Sequence, residues 1–122
     1  MFVKEGLLAL NPPQRAAAEQ VYGAVLILAG AGTGKTRVVT TRVAHMLYNE
    51  IPGSQILAVT FTNKAANEMR ERVSDMVEGD MAEDVTVCTF HSLCVRILRS
   101  CIERLGYKKS FSIYTQSDQI GL

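Results

Sequence analysis

The sequence lacks tryptophan, has only three cysteines and carries a net charge of +1. Cys88, Cys94 and Cys101 are odd in number and have no C-x-x-C spacing, so the sequence predicts neither a disulfide framework nor a zinc site. This use of cysteine fits a reducing compartment, and we expect a cytoplasmic protein. The small net charge argues neither for nor against nucleic acid, so any nucleic-acid site must be local.

Long hydrophobic runs are also missing. No apolar stretch approaches the length of a membrane span, and Lys4 and Glu5 before the short apolar segment 7–10 make a poor signal peptide. A hydrophobic fraction of 48% with 20% charged residues is ordinary for a globular chain. The 122 residues allow at most one domain with a single core.

Apolar runs and helical spacing alternate along this chain. Continuous or alternating apolar residues predict strands at residues 24–28, 56–59, 85–88 and 111–114. Apolar residues at three- and four-residue spacing, with their caps, predict helices at residues 11–22, 34–49, 64–77 and 94–105. Thr115 or Ser117 is a candidate cap for one further helix. Strands that alternate with helices require right-handed parallel crossovers, so the predicted fold class is a layered α/β domain.

The most informative segment is AGAGTGKT at residues 29–36, and we call residues 29–34 the glycine loop. It lies between a predicted buried strand and a predicted helix, which is the setting of a phosphate-binding loop. In such a loop the backbone N–H groups cradle phosphate oxygens, and the helix adds the positive end of its dipole. Lys35 is then expected to reach the β- and γ-phosphates, and the Thr36 hydroxyl to bind magnesium.

The glycine loop departs from the usual G-x-x-x-x-G-K-[ST] pattern at its first position, where Ala29 replaces glycine. Three glycines remain to supply backbone freedom. The nucleotide-binding candidates here are Ala29, Gly30, Ala31, Gly32, Thr33, Gly34, Lys35 and Thr36, with Lys35 and Thr36 also the catalytic candidates. The alternative is a glycine-rich turn that holds no ligand.

Two further segments share one design, in which a strand runs into Thr-Phe, then polar residues, then a helix. They are residues 60–64, TFTNK, and residues 89–92, TFHS. Ligands bind outside the carboxyl ends of parallel strands, and an exposed Phe among hydroxyls and helix N-termini suits single-stranded nucleic acid. The alternative is that Phe61 and Phe90 are core residues, while Thr62 and Ser92 only cap helices.

Four segments together resemble one protein family. LNPPQ, AGAGTGKT, AVTFTNKAANEMRERV and TFHSL, in this order and spacing, are similar to the UvrD/Rep family of superfamily 1 DNA helicases, and the closing FSIYTQSDQIGL resembles Rep more than UvrD. The resemblance implies a three-layer RecA-like domain with a parallel sheet and ATP with Mg²⁺ as cofactors. It also implies translocation along single-stranded DNA in the 3′ to 5′ direction, in repair or replication.

The resemblance assigns roles to individual residues. Gln14 matches the family's Q motif, which reads the adenine edge, and Arg37 matches an arginine that packs on the adenine ring. A capping-box residue three positions after Asn11 is the other interpretation of Gln14, and both can hold together. The residues implied to face single-stranded DNA are Thr60, Phe61, Thr62, Asn63, Lys64, Thr89, Phe90 and His91. For Lys64 a solvated charge, and for His91 a neutral histidine at a helix start, are the alternatives.

A carboxylate for hydrolysis is missing. The reaction needs a Walker-B acid near the magnesium, yet no apolar run ends in Asp or Glu, and Asp118 lies in a helix-start context. The family's motif II and second RecA-like domain are absent too. We therefore expect residues 1–110 to be the N-terminal part of the first RecA-like domain and 111–122 to begin the following subdomain. The chain alone is expected to be inactive.

This truncation bears on the sheet and on the partners. In the family, two strands separate the phosphate-loop strand from the motif Ia strand, so the two should lie roughly 14 Å apart. We expect the chain either to pair residues 25–28 directly with 56–59 or, as the favoured route, to self-associate through exposed sheet edges. Two other functions stay open: a P-loop phosphotransferase and a non-catalytic nucleotide-binding module.

Overall fold

The computed structural model describes residues 2–30, 32, 34–114 and 116–121. Within these residues the chain forms helices and strands in the order α1 Val3–Leu8, α2 Pro12–Glu19, α3 Lys35–Tyr48, β1 Leu57–Thr60, α4 Asn63–Met76, β2 Thr86–Thr89, α5 Phe90–Cys101 and α6 Gln116–Ile120. Short 3₁₀ turns occupy Gly53–Gln55 and Ile102–Leu105. The candidate cap Thr115 lies outside the described residues. No helix in the described ranges is long and apolar enough to cross a membrane.

Local sequence signals explain where the main helices begin. Asn11 caps α2 through a reciprocal pair of hydrogen bonds with Gln14, and Pro12 occupies the first helical position. The Thr62 hydroxyl accepts a hydrogen bond of 3.1 Å from Ala65 N at the start of α4. The four predicted helices are present, with ends that differ by a few residues, and the 3₁₀ turn Ile102–Leu105 completes the one predicted at 94–105.

Two of the predicted strands pair in parallel. Strand β1 runs beside β2 with Leu57 opposite Thr86 and Thr60 opposite Thr89, and α4 provides the crossover between them. Three of the four residues of β2 are buried, whereas in β1 Ala58 and Thr60 are buried and Leu57 is exposed. The chain therefore leaves both strands at the same edge of the sheet.

The predicted strands at 24–28 and 111–114 are wrong. Neither segment is extended in a ladder, and Leu26 and Leu28 are 83% and 87% exposed. A strand requires a partner, and among the described residues the sheet consists of β1 and β2 alone. Direct pairing of 25–28 with 56–59 is likewise not formed, since β1 has β2 as its ladder partner and residues 25–28 form no strand. The result is a mixed helix and strand fold with a two-stranded parallel sheet.

The contacts divide the chain into two units, Met1–Thr89 and Phe90–Leu122. This division does not test the predicted domain boundary after residue 110, which stays a prediction. In the first unit the main core lies between the sheet and helices α1, α3 and α4, with Val43, Leu47, Met69 and Val73 among its buried residues. A smaller cluster of Leu10, Ala18 and Val38 fixes α2 against α3. This second cluster holds the start of α3 beside Gln14 of α2.

The second unit consists of α5, the 3₁₀ turn and α6. Gly106 ends the turn with φ of +85°, a left-handed conformation that glycine adopts without strain. Among the described residues of α5 none is fully buried, and Ile97 is 52% exposed.

Candidate functional site

The glycine loop enters α3 through left-handed backbone. Gly32 and Gly34 have φ of +75° and +81°, which glycine adopts without strain, and Gly34 is the residue directly before the helix. Ala29 and Gly30 are exposed, whereas Ala31 and Thr33 lie outside the described residues. Gly32 and Gly34 thus use the backbone freedom expected of glycine in this loop, although residues 24–28 before it form no strand.

The start of α3 is arranged to attract an anion. Gly34 offers no side-chain cap, the first turn contains no acidic residue, and Lys35 and Thr36 are exposed. The first N–H groups of a helix have no partner inside the helix, and Lys35 and Arg37 add positive charge to the positive end of the dipole. A bound anion would satisfy these donors and relieve the repulsion between the cations and the dipole.

An open cleft of about 530 Å³ lies over this helix start, and we call it the loop cleft. The residues that line it are Gln14, Gly32, Gly34, Lys35, Thr36, Arg37 and Arg72. Four residues expected at a nucleotide site from the sequence, Gln14, Lys35, Thr36 and Arg37, therefore converge with two of the three loop glycines. Arg72, from the third turn of α4, was not expected, because its position on a helix says nothing about the neighbouring helix that it faces.

Gln14 is both a capping residue and a wall of the loop cleft. Its backbone N–H donates to Asn11 Oδ1 and its Oε1 accepts from Asn11 N, each at 3.0 Å, which confirms the capping-box interpretation. Its Nε2 faces the loop, since a methyl group placed on Gly34 would lie 3.6 Å from that atom. On the other side Gln14 borders a second cleft of about 480 Å³ that Leu26, Leu28, Ala29 and Gly30 also line.

The segment after β1 presents an aromatic ring to solvent. Phe61 is 90% exposed, so it is not a core residue. Thr60 is buried, and its hydroxyl donates a 3.0 Å hydrogen bond to Thr62 O, which closes the turn. Thr62 caps α4, as the alternative interpretation predicted, while Asn63 and Lys64 are exposed in the first turn of that helix.

The segment after β2 begins the second unit. Thr89 is buried at the end of its strand, opposite Thr60. Phe90 is 51% exposed and His91 is exposed at the start of α5, while Ser92 is half-buried. Phe90 therefore is not a core residue either. The two buried threonines end their strands and do not present their side chains at the surface.

No acidic residue stands at a strand end in the described sheet. Both β1 and β2 end in threonine, and in the ranges 2–30, 32, 34–114 and 116–121 no group of three or more His, Cys, Asp or Glu side chains could hold a metal ion. Asp118 lies in α6 of the second unit.

The family model for the UvrD/REP helicase N-terminal domain matches residues 10–122. The chain therefore belongs to the UvrD/Rep helicase family, as its sequence motifs predicted.

The chain is also similar to three bacterial proteins named ATP-dependent DNA helicase PcrA. It is 48% identical over 117 residues to that of Bacillus subtilis (strain 168), with 95% of this chain and 16% of the relative covered. For that of Staphylococcus aureus (strain Mu50 / ATCC 700699) the identity is 49% over 111 residues, covering 90% of this chain and 15% of the relative. For that of Leuconostoc citreum it is 50% over 112 residues, again with 90% and 15% covered. The chain thus spans about one-sixth of the length of these relatives.

Proposed function

We propose that the chain is the N-terminal part of the first RecA-like domain of an ATP-dependent DNA helicase, with residues 1–110 in that domain and 111–122 in the following subdomain. The observation that carries the proposal is the loop cleft, where a left-handed glycine turn, the uncapped start of α3, Lys35 and Gln14 converge. The relatives named ATP-dependent DNA helicase support the same function. In such a protein the full sheet would have the three-layer P-loop arrangement.

We assign the nucleotide to the loop cleft. The backbone of residues 29–34 and the ammonium group of Lys35 hold the phosphates, Gln14 reads the adenine edge, and Arg37 packs on the ring. The Thr36 hydroxyl is an oxygen ligand of the kind that Mg²⁺ prefers. Because three cations and no carboxylate line the cleft, Mg²⁺ is expected to enter together with the phosphates that neutralise this charge.

We assign single-stranded DNA to the strand-end segments. The exposed ring of Phe61 is suited to stack on a base, and Asn63 and Lys64 are suited to hold phosphates at the start of α4. Phe90 and His91 contribute the second segment. The buried Thr60 and Thr89 support the turns rather than the bases. The whole helicase would move 3′ to 5′ along the strand, in repair or replication in the cytoplasm.

Nucleotide titration of the chain tests the proposal. Replacing Lys35 with Ala should weaken binding of ATP by about tenfold or more, because a charge-assisted phosphate contact is lost. Lys4→Ala is the matched control, since Lys4 is an exposed lysine on α1 away from the loop cleft. Hydrolysis of ATP should be negligible in every variant, because neither β1 nor β2 ends in a carboxylate that could serve as the Walker-B acid.

Two results would contradict this assignment. Equal affinity of the Lys35→Ala and Lys4→Ala variants for ATP would reject the nucleotide site. Steady hydrolysis by the wild-type chain that disappears in Lys35→Ala would reject the claim that catalytic groups are missing.

A further inference from the structure

Arg72 of α4 lies in the wall that separates two clefts. One is the loop cleft, and the other is a cleft of about 250 Å³ between α1, α3 and α4 that we call the inner cleft. Arg37 lines both clefts as well. Arg37 of α3 and Arg72 of α4 therefore border the same open space.

The arginines of the first unit fall into two groups. Arg15 donates to Leu7 O at 3.0 Å, Arg42 to Gln20 O at 3.1 Å, and Arg70 to Val87 O at 2.6 Å. Within the described part of the chain, the side chains of Arg37 and Arg72 make no hydrogen bond or ion pair. The arginines that hold the fold together are thus bonded to carbonyl oxygens, and the two at the loop cleft are not.

The charges around Arg72 are unbalanced on the side of the loop. Lys35, Arg37 and Arg72 all line the loop cleft, and no carboxylate does. Asp75, one turn after Arg72, lines the inner cleft instead, and among the described residues it forms no ion pair. Three like charges around one open space repel one another, so the arrangement favours a polyvalent anion between them.

We infer that Arg72 binds the phosphate chain of the nucleotide in the loop cleft together with Lys35, while Arg37 packs on the adenine ring as proposed above. The inference rests on the function proposed above and adds a phosphate ligand from α4. A guanidinium offers a planar pair of N–H donors that matches two phosphate oxygens. Because Arg72 is exposed and makes no bond inside the described fold, this interaction requires no native contact to break.

The position of Arg72 is fixed by the burial of its helix. Met69, Val73 and Met76 of α4 are buried in the main core. Arg70 further ties α4 to β2 through its bond to Val87 O. The backbone that carries Arg72 is therefore held in place before any ligand arrives, which lowers the entropy cost of binding.

The test compares ATP, inorganic tripolyphosphate and adenosine as ligands of the chain at one fixed ionic strength. Arg72→Ala should weaken binding of ATP and of tripolyphosphate by about tenfold, the usual effect of losing one charge-assisted bond, and leave adenosine unchanged. Arg72→Lys keeps the charge but loses the planar fork, so its affinity should fall between those of the wild type and Arg72→Ala. Arg96→Ala is the control, because Arg96 is an exposed arginine on α5 without a bond in the described fold.

The outcomes separate this inference from the proposed function. If Lys35→Ala weakens ATP binding but Arg72→Ala behaves like Arg96→Ala, the role of Arg72 is wrong and the nucleotide site stands. If neither Lys35→Ala nor Arg72→Ala has an effect, the nucleotide site itself is wrong. Equal losses for adenosine and ATP in Arg72→Ala would overturn the assignment to the phosphates. Unchanged thermal unfolding of Arg72→Ala is expected and confirms that the comparison is made on folded protein.

Discussion

Replacing Phe61 with Ala separates a DNA-binding ring from a structural one. The ring is 90% exposed, so about a tenth of its area is buried in the fold. A Phe side chain has roughly 200 Å² to bury, and at about 25 cal/mol per Å² that tenth stabilises the fold by about 0.5 kcal/mol. A core Phe would cost about 3–5 kcal/mol when truncated, so the two roles differ severalfold in stability alone.

The effect of Phe61→Ala on DNA should be larger than its effect on the fold. A base-stacking aromatic contributes about 1–3 kcal/mol, which corresponds to a loss of roughly 5- to 150-fold in affinity for single-stranded DNA. The loss should depend little on base sequence, because every base has a π-face that can stack. Fluorescence anisotropy of labelled oligothymidylate and oligoadenylate at low ionic strength measures it, and thermal denaturation of the same samples measures stability.

Tyr22→Ala is the matched control for this comparison. Tyr22 is 81% exposed in the same unit and lies outside the strand-end segments, so its loss should alter neither DNA affinity nor stability appreciably. The reasoning fails if Phe61→Ala binds both oligonucleotides like Tyr22→Ala. It also fails if Phe61→Ala lowers the melting temperature by tens of degrees, since the ring would then belong to the core.

Two further predictions concern the loop and the exposed apolar segment. Gly34→Ala should destabilise the fold by about 1–2 kcal/mol, because φ is +81° at this position. Gly34→Asn should cost less in chemical denaturation, because asparagine tolerates left-handed backbone. Equal losses of stability in the two variants would contradict the backbone argument. The chain should self-associate in sedimentation velocity as its concentration rises, because Leu26 and Leu28 are exposed and the sheet has open edges, and the double change Leu26→Lys and Leu28→Lys should reduce this association. A monomer at every concentration would refute the second prediction.

The signals that predicted the fold correctly were local ones. Asn11, Pro12 and Gln14 determine the start of α2 through bonds within four residues, and this pattern is legible in any sequence. The left-handed backbone at Gly32 and Gly34 is similarly a property of the residue itself. The periodicity of α4 placed its buried face correctly because the whole helix packs against one core.

The errors arose where structure depends on a distant partner. Residues 24–28 have the composition of a buried strand, but a strand forms only beside another strand, and composition does not say whether that neighbour is present. Arg72 was missed for a related reason, because the sequence of α4 does not reveal that its third turn faces the start of α3. Thr60 and Thr89 were grouped with the exposed Phe61 by motif, yet both are buried as the last residues of their strands, whereas Phe61 follows the end of β1.

Helix α4 is the element that joins the two proposed ligand sites. Its first turn follows Phe61 directly, and Arg72 lies nine positions after Asn63, roughly 14 Å further along the helix axis. Buried Val73 and the bond from Arg70 to Val87 O hold the helix to the core and to β2. A phosphate bound to Arg72 therefore contacts the same rigid element that presents the DNA segment. If nucleotide changes the affinity for single-stranded DNA through this helix, thermodynamic linkage requires single-stranded DNA to change the affinity for nucleotide by the same factor.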